Sequence, residues 1–352
     1  MAENIDDLRP VEEFKVYTFS NYKHTDVRKQ FQESLCATRI ETACYWSAEM
    51  LCSGYADEIW DMLLQYYCKY INVGNVKIII LLAKRLEFFR YKMKSVVHSE
   101  LEIRNEQSIR ELIAELVTIL CVSKKRIMLQ RVDIKKESFD ILRMNEIVKA
   151  TSIIFEKKEE DSIEIVVPVN ELYHSMACKN THQSFYWIEW LLEYESRCNK
   201  NKHGVLKLER RDQFIKELRF QKHMVWIIWE CFTHFIKKHA LLQSCLDLFL
   251  FDYSKSTPKK RIFLLYFVVC LHTESYEIND KIVENLELLN SVKENIGNVY
   301  KPIKKHERFQ SSNVCNTNNS YEKTLFKLTK MNHFSEKFVP RLDALESDQH
   351  AV

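Results

Sequence analysis

The chain has 352 residues, of which 46% are apolar and 29% charged, with a formal net charge of +3. That length suggests roughly two domains with material for large cores. The near-balanced charge excludes a global nucleic-acid footprint, so any such surface must be local.

Only 4 glycines and 5 prolines are present, too few for many hairpins or phosphate-cradling loops. The composition therefore points to helices joined by short polar links. The 11 cysteines include no C-x-x-C pair, and most fall in apolar helical stretches, as Cys44, Cys121, Cys231 and Cys270 do. They read as buried free thiols in a reducing compartment. Cys36, Cys44 and Cys52 recur at a packing interval rather than a ligand spacing, so no metal or other cofactor is expected. The start of the chain is acidic and polar, unlike a signal peptide, and the longest apolar run, 262–271, is shorter than the roughly 20 residues of a membrane span.

In chain order, an N-terminal segment, 1–24, precedes a first helical domain, 25–150. Thr25 reads as a helix cap, followed by Val27, Phe31, Ser34 and Leu35 on one face. Residues 43–52 are apolar on nearly every side and predict a buried helix in which Glu49 must find a partner. A dense apolar run, 76–93, carries Lys84, Arg85, Arg90 and Lys92. Ser108 and Glu111 form a capping box ahead of Ile109, Leu112, Ile113 and Leu116. A charged linker, 151–165, leads to a second helical domain, 166–300, and the weak alternation of 163–169 suggests a short strand. Thr257 before Pro258 reads as a cap with proline at the first helical position. Beyond Pro302 the chain becomes rich in Lys, Asn, Ser and Thr. Residues 301–352 read as a flexible tail, with a linker at 311–320 and a short docking helix at 325–338.

The two domains resemble each other. Tyr45-Trp46 recurs as Tyr186-Trp187, 141 residues later, and at the same spacing Ser34-Leu35 falls on Ser175-Met176. Ile59-Trp60-Asp61 resembles Ile228-Trp229-Glu230 at a spacing of 169, so the second copy holds a 28-residue insertion, 197–224. The expected fold is all-α, two similar helical domains from a tandem duplication. Trp46 and Trp187 are expected in equivalent buried positions, as are Trp60 and Trp229, with two separable unfolding transitions.

No P-loop, G-x-G-x-x-G, H-E-x-x-H or G-x-S-x-G motif occurs. P-loop hydrolysis, dinucleotide redox chemistry and α/β-hydrolase chemistry are thereby excluded. Glu189, between Trp187 and Trp190, reads either as a general acid with a raised pKa or, with more weight, as a core-edge carboxylate held by backbone or a tyrosine. Cys270 and His272 are two apart and cannot face each other along a helix. Glu156-Lys157-Lys158 has the end of a nuclease signature without its strand-borne Asp. No catalytic residue is assigned.

The insertion is the most distinctive feature. It holds nine basic residues, Arg197, Lys200, Lys202, Lys207, Arg210, Arg211, Lys216, Arg219 and Lys222, against Glu209, Asp212 and Glu217, with Phe214 and Phe220 between them. This density suits a solvated, salt-bridged helical arm, contact with phosphates, or an acidic protein partner.

Ala43-Cys44-Tyr45-Trp46-Ser47-Ala48-Glu49, Cys52-Ser53-Gly54, Trp60, Gly74-Asn75 and Leu120-Cys121-Val122-Ser123-Lys124-Lys125 carry a family resemblance. So do Tyr186-Trp187-Ile188-Glu189-Trp190, Glu209-Arg210-Arg211 and Trp226-Ile227-Ile228-Trp229 in the second copy. Over most of residues 22–239 the chain resembles a family of nucleocytoplasmic large DNA viruses, of the phycodnavirus and mimivirus kind, that has no assigned activity. It departs from the pattern after Gly74-Asn75, where Val76-Lys77-Ile78-Ile79 replaces a proline-containing segment. The resemblance implies a viral origin and a place in the host cytoplasm or nucleus, or in the virion. The combined expectation is a non-enzymatic interaction or scaffold protein with protein partners, a minor or internal virion component. The alternative is an accessory nucleic-acid-binding factor in viral replication or transcription.

Overall fold

The computed structural model describes residues 4–7, 9–95, 101–140, 146–200, 206–237, 239–278 and 281–308. Among them are twelve α-helices and no strand beyond a single bridge between Tyr17 and Lys23, so the protein is all-α. The expected linker and docking helix of the tail lie outside the described residues.

The first five helices are α1 (His24–Cys36), α2 (Ile40–Cys52), α3 (Ala56–Tyr66), α4 (Lys77–Ser95) and α5 (Gln107–Val122). Next come α6 (Val166–Ala177), α7 (Thr181–Lys200), α8 (Val225–Phe235), α9 (His239–Leu250), the single turn α10 (Thr257–Lys260), α11 (Ile262–Thr273) and α12 (Leu286–Lys304).

Four local expectations need correction. Residues 163–169 form a 3₁₀ turn running into α6 rather than a strand. Pro168 sits in the first turn of α6, where its missing N–H removes no helical bond. Thr25 lies inside α1, which starts one residue earlier. Ser108 is inside α5 rather than capping it: its hydroxyl donates to Glu106 Oε1 at 2.6 Å. Thr257 and Pro258 open the separate turn α10, where the Thr257 hydroxyl accepts from the Ser254 amide at 2.8 Å, and α11 restarts after Arg261.

The hairpins α1–α2 and α6–α7 are joined by the same turn. In the first, the amides of Ala37, Thr38 and Arg39 donate to the carbonyls of Glu33, Leu35 and Ser34 at 2.9, 3.2 and 2.9 Å. In the second, Cys178, Lys179 and Asn180 donate to His174, Met176 and Ser175 at 2.9, 3.0 and 2.8 Å. Each is a Schellman closure through a left-handed residue, Thr38 at φ 60° and Lys179 at φ 53°. The burial pattern of residues 42–51 repeats position by position in 183–192. Tyr45 lies edge-on to Trp46 with ring centroids 5.0 Å apart, as Tyr186 does to Trp187 at 5.2 Å. In α3 and α8, Ala56, Ile59, Trp60 and Leu63 are buried at the same steps as Val225, Ile228, Trp229 and Phe232.

The halves nevertheless share one continuous hydrophobic core. Helix α4 packs along α9, and α12 returns to pack on α5 and α2 of the first half. Tyr67 and Phe267 meet edge-on at 5.3 Å across the junction. Arg261 clamps Asp61 through Nε at 2.9 Å and Nη2 at 2.7 Å.

Buried polar side chains on the helices hold the irregular segments. The Glu49 carboxylate accepts from the Thr18 hydroxyl at 2.6 Å and from the amide and hydroxyl of Ser20 at 2.6 and 2.7 Å. Glu171 accepts the amides of Lys149 and Ala150 at 2.8 and 2.6 Å, and Asn170 that of Ile154 at 2.7 Å. A buried amide left without an acceptor costs on the order of 1–3 kcal/mol, so these carboxylates and amides let long non-helical stretches lie against the core.

Candidate functional site

The insertion does not project as a helical arm. From residue 206 it runs back over the second half as an irregular strap. Leu208, Ile215 and Phe220 are buried, and the Phe214 ring stacks on Trp226 at 5.7 Å. The apolar residues spaced through the basic stretch explain this: each has a place in the core, so the chain between them cannot leave the surface.

Nor do the nine basic residues form one surface. Lys202 lies outside the described residues. Arg197 is half-buried on α7, its guanidinium 4.1 Å from the Phe139 ring centre and its Nε 3.4 Å from Glu193 Oε1. Lys222 pairs with Glu160 at 2.8 Å. Arg211 is 0% exposed, and as a contact residue it is a correction to the sequence reading. Its Nη1 and Nη2 donate to the two Asp161 oxygens at 2.9 and 2.7 Å, and its Nε to Glu230 at 3.1 Å. Burial opposes both charges of this pair. The partners outweigh it, holding Arg211 above and Asp161 below their ordinary ranges. Lys200, Lys207, Arg210, Lys216 and Arg219 remain exposed.

Glu189 sits at the junction of the halves. Its carboxylate takes a bidentate pair from Arg131, Nε to Oε1 at 2.7 Å and Nη2 to Oε2 at 3.1 Å, and a bond from the Tyr266 hydroxyl at 3.1 Å. Tyr266 in turn accepts the amide of Val132 at 3.2 Å. Both oxygens of the carboxylate are thus engaged by the guanidinium fork. Cys270 is buried, which pushes its thiol pKa up, while His272 reaches the carbonyl of Met176 at 3.1 Å. Lys157 donates to the carbonyls of Lys158, Glu159 and Asp161, so 156–158 is a self-tied loop.

One constellation was invisible in the sequence. At the end of the strap, Glu195 accepts the Met224 amide at 2.9 Å, and burial pushes its pKa up to about 6. His223 Nδ1 lies 2.9 Å from the Tyr253 hydroxyl, and burial, helped by Lys255, pushes its pKa down to about 4.

All four expected core tryptophans are buried: Trp46, Trp60, Trp187 and Trp229. The indole N–H groups of Trp60, Trp187 and Trp229 meet no hydrogen-bond acceptor among the described residues, so these rings are held by packing alone. Among the described residues no three His, Cys, Asp or Glu side chains converge as metal ligands, and no helix is long and apolar enough to cross a membrane. No protein-family model, curated protein or solved structure matches the chain.

Proposed function

We propose that this chain is a non-enzymatic scaffold or interaction protein of a large DNA virus, working through protein partners in virion assembly or as a minor or internal component of the particle. One observation carries the reading. The buried acidic groups at Glu49, Asp161, Glu171 and Glu189 are each engaged in tying a segment of the chain to the helical body. Mass spectrometry of purified virions tests it: recovery in proportion to known structural components supports the role, and complete absence overturns it.

The second reading is an accessory nucleic-acid-binding factor in replication or transcription. It is favoured by the exposure of Lys200 at the end of α7 and of Lys207, Arg210, Lys216 and Arg219 along the strap. Affinity should then fall steeply with salt and be weakened by Arg210→Glu. Absence of binding to duplex or single-stranded nucleic acid at low salt removes this reading.

We also infer that the two halves descend from one duplicated helical unit, later fused through a common core. The repeated turn, the matching burial of α2 and α7, and the matching tryptophans support it.

A further inference from the structure

The segment that follows α5 carries a feature that neither reading above uses. Residues 124–131 read Lys-Lys-Arg-Ile-Met-Leu-Gln-Arg. Ile127 is 90% exposed, the most of any large apolar side chain among the described residues, and Met128 beside it is 40% exposed. The backbone around them is held firmly. The Arg126 and Leu129 amides donate to the carbonyls of Tyr70 and Lys69 at 2.7 and 3.0 Å. Asn72 Nδ2 reaches the Ile127 carbonyl at 3.4 Å. A Cβ on Gly74 would stand 3.1 Å from both the Lys124 carbonyl and the Arg126 side chain, a tight approach at which the loop would have to give by a few tenths of an ångström.

The charges beside the tip have no acidic partner among the described residues. Lys124 and Arg126 are exposed and Lys125 half-exposed, and none of the three makes an ion pair among the described residues. Lys125 donates to the neutral Thr38 hydroxyl at 2.7 Å. Neighbouring cations are spoken for. Tyr70 also borders a shallow depression of about 240 Å³ where Arg28 and Lys29 are found, but Arg28 is paired with Glu58 at 2.8 Å and Lys29 lies 3.8 Å from Glu33. Farther along this segment Arg131 is neutralised by Glu189.

We propose that this loop is a docking tip for an anionic membrane surface, with Ile127 and Met128 entering the headgroup–acyl boundary and Lys124, Lys125 and Arg126 lying among acidic lipid headgroups. An aliphatic tip gains by leaving water at such a boundary, and each adjacent cation adds attraction to acidic lipids. Nucleic acid fits less well. A groove-wedging side chain works with phosphate contacts spread along the duplex, whereas the unpaired cations here occupy three consecutive residues. The exposed pair is also aliphatic and offers no aromatic face for base stacking. The proposal stands whether or not the protein is a virion component.

Flotation of the full chain with phosphatidylcholine vesicles, with and without a minority of phosphatidylserine, tests it. Binding should require the acidic lipid and weaken with salt. Ile127→Asp, at a position open to water, should abolish flotation with an unchanged melting temperature. Lys124→Glu combined with Lys125→Glu should lower partitioning by about tenfold or more. In an Ile127→Trp variant, tryptophan emission should shift to the blue on adding the acidic vesicles. Three outcomes would overturn the proposal: no flotation at low salt, flotation indifferent to Ile127→Asp, or binding to duplex DNA that depends on Ile127 while vesicles leave the emission of the Ile127→Trp variant unmoved.

Discussion

At the residue scale, the same residue type serves opposite ends according to where the apolar chain around it goes. Arg210 and Arg211 are neighbours, yet one faces water and the other fills the core beside Asp161. Arg210→Glu should leave stability within about 0.5 kcal/mol. Arg211→Glu should cost on the order of 3–5 kcal/mol, because it sets a third negative charge against buried Asp161 and half-buried Glu230. Urea midpoints of the two variants check the contrast. Trp187→Ala should cost about 3–5 kcal/mol through the cavity it leaves. Trp187→Phe should cost much less, since the indole N–H it removes has no acceptor among the described residues.

The pair at the strap's end makes a pH prediction at this scale. Glu195 is raised to about 6 from 4.5. Between those values the folded chain keeps a proton that the unfolded chain releases, so stability falls as pH rises through the window, by about 2 kcal/mol. His223 is lowered to about 4 from 6.5. Its contribution is present above 6.5 and lost as pH falls toward 4. Glu195→Gln removes only the first effect. Its stability relative to the parent chain should therefore be higher at pH 7 than at pH 4.5. An equal difference at both pH values would count against a buried, titrating Glu195.

At the element scale, helices are legible in the sequence and their connections are not. The periodicity of Val27, Phe31, Ser34 and Leu35 and the all-round apolarity of 43–52 predict α1 and α2, and the Tyr-Trp repeat finds the second hairpin. The failures come where a tertiary partner decides the outcome. Residues 163–169 alternate like a strand, but Pro168 fits the first turn of α6 equally well and packing selects the helix. The insertion's charge density masks Leu208, Ile215 and Phe220, whose burial makes it a strap. Glu189 is legible as a held carboxylate, but its partner Arg131 lies 58 residues away, and no local pattern links the two. The turns make a prediction of their own. Thr38 and Lys179 hold a left-handed conformation that glycine adopts freely, so Thr38→Gly and Lys179→Gly should be neutral or stabilising by about 0.5–1 kcal/mol in thermal unfolding. Gly54 at φ 83° should tolerate no such exchange in reverse, and Gly54→Val should destabilise.

At the scale of the whole molecule, the claim on which the account turns is that two similar hairpin units have been fused into one body. The sequence suggests two domains and two unfolding transitions. The shared core, the α4–α9 packing, the return of α12 to the first half, and the Arg261–Asp61 and Arg131–Glu189 clamps argue instead for one cooperative unit. The most direct test is hydrogen exchange by mass spectrometry on the parent chain and on Trp187→Ala, comparing peptides from α2 and α7. Both hairpins should lose protection by the same free energy, although the substitution lies in the second alone. Loss of protection confined to α6–α9, with α1–α5 unchanged, would contradict the fused body and restore two independent domains.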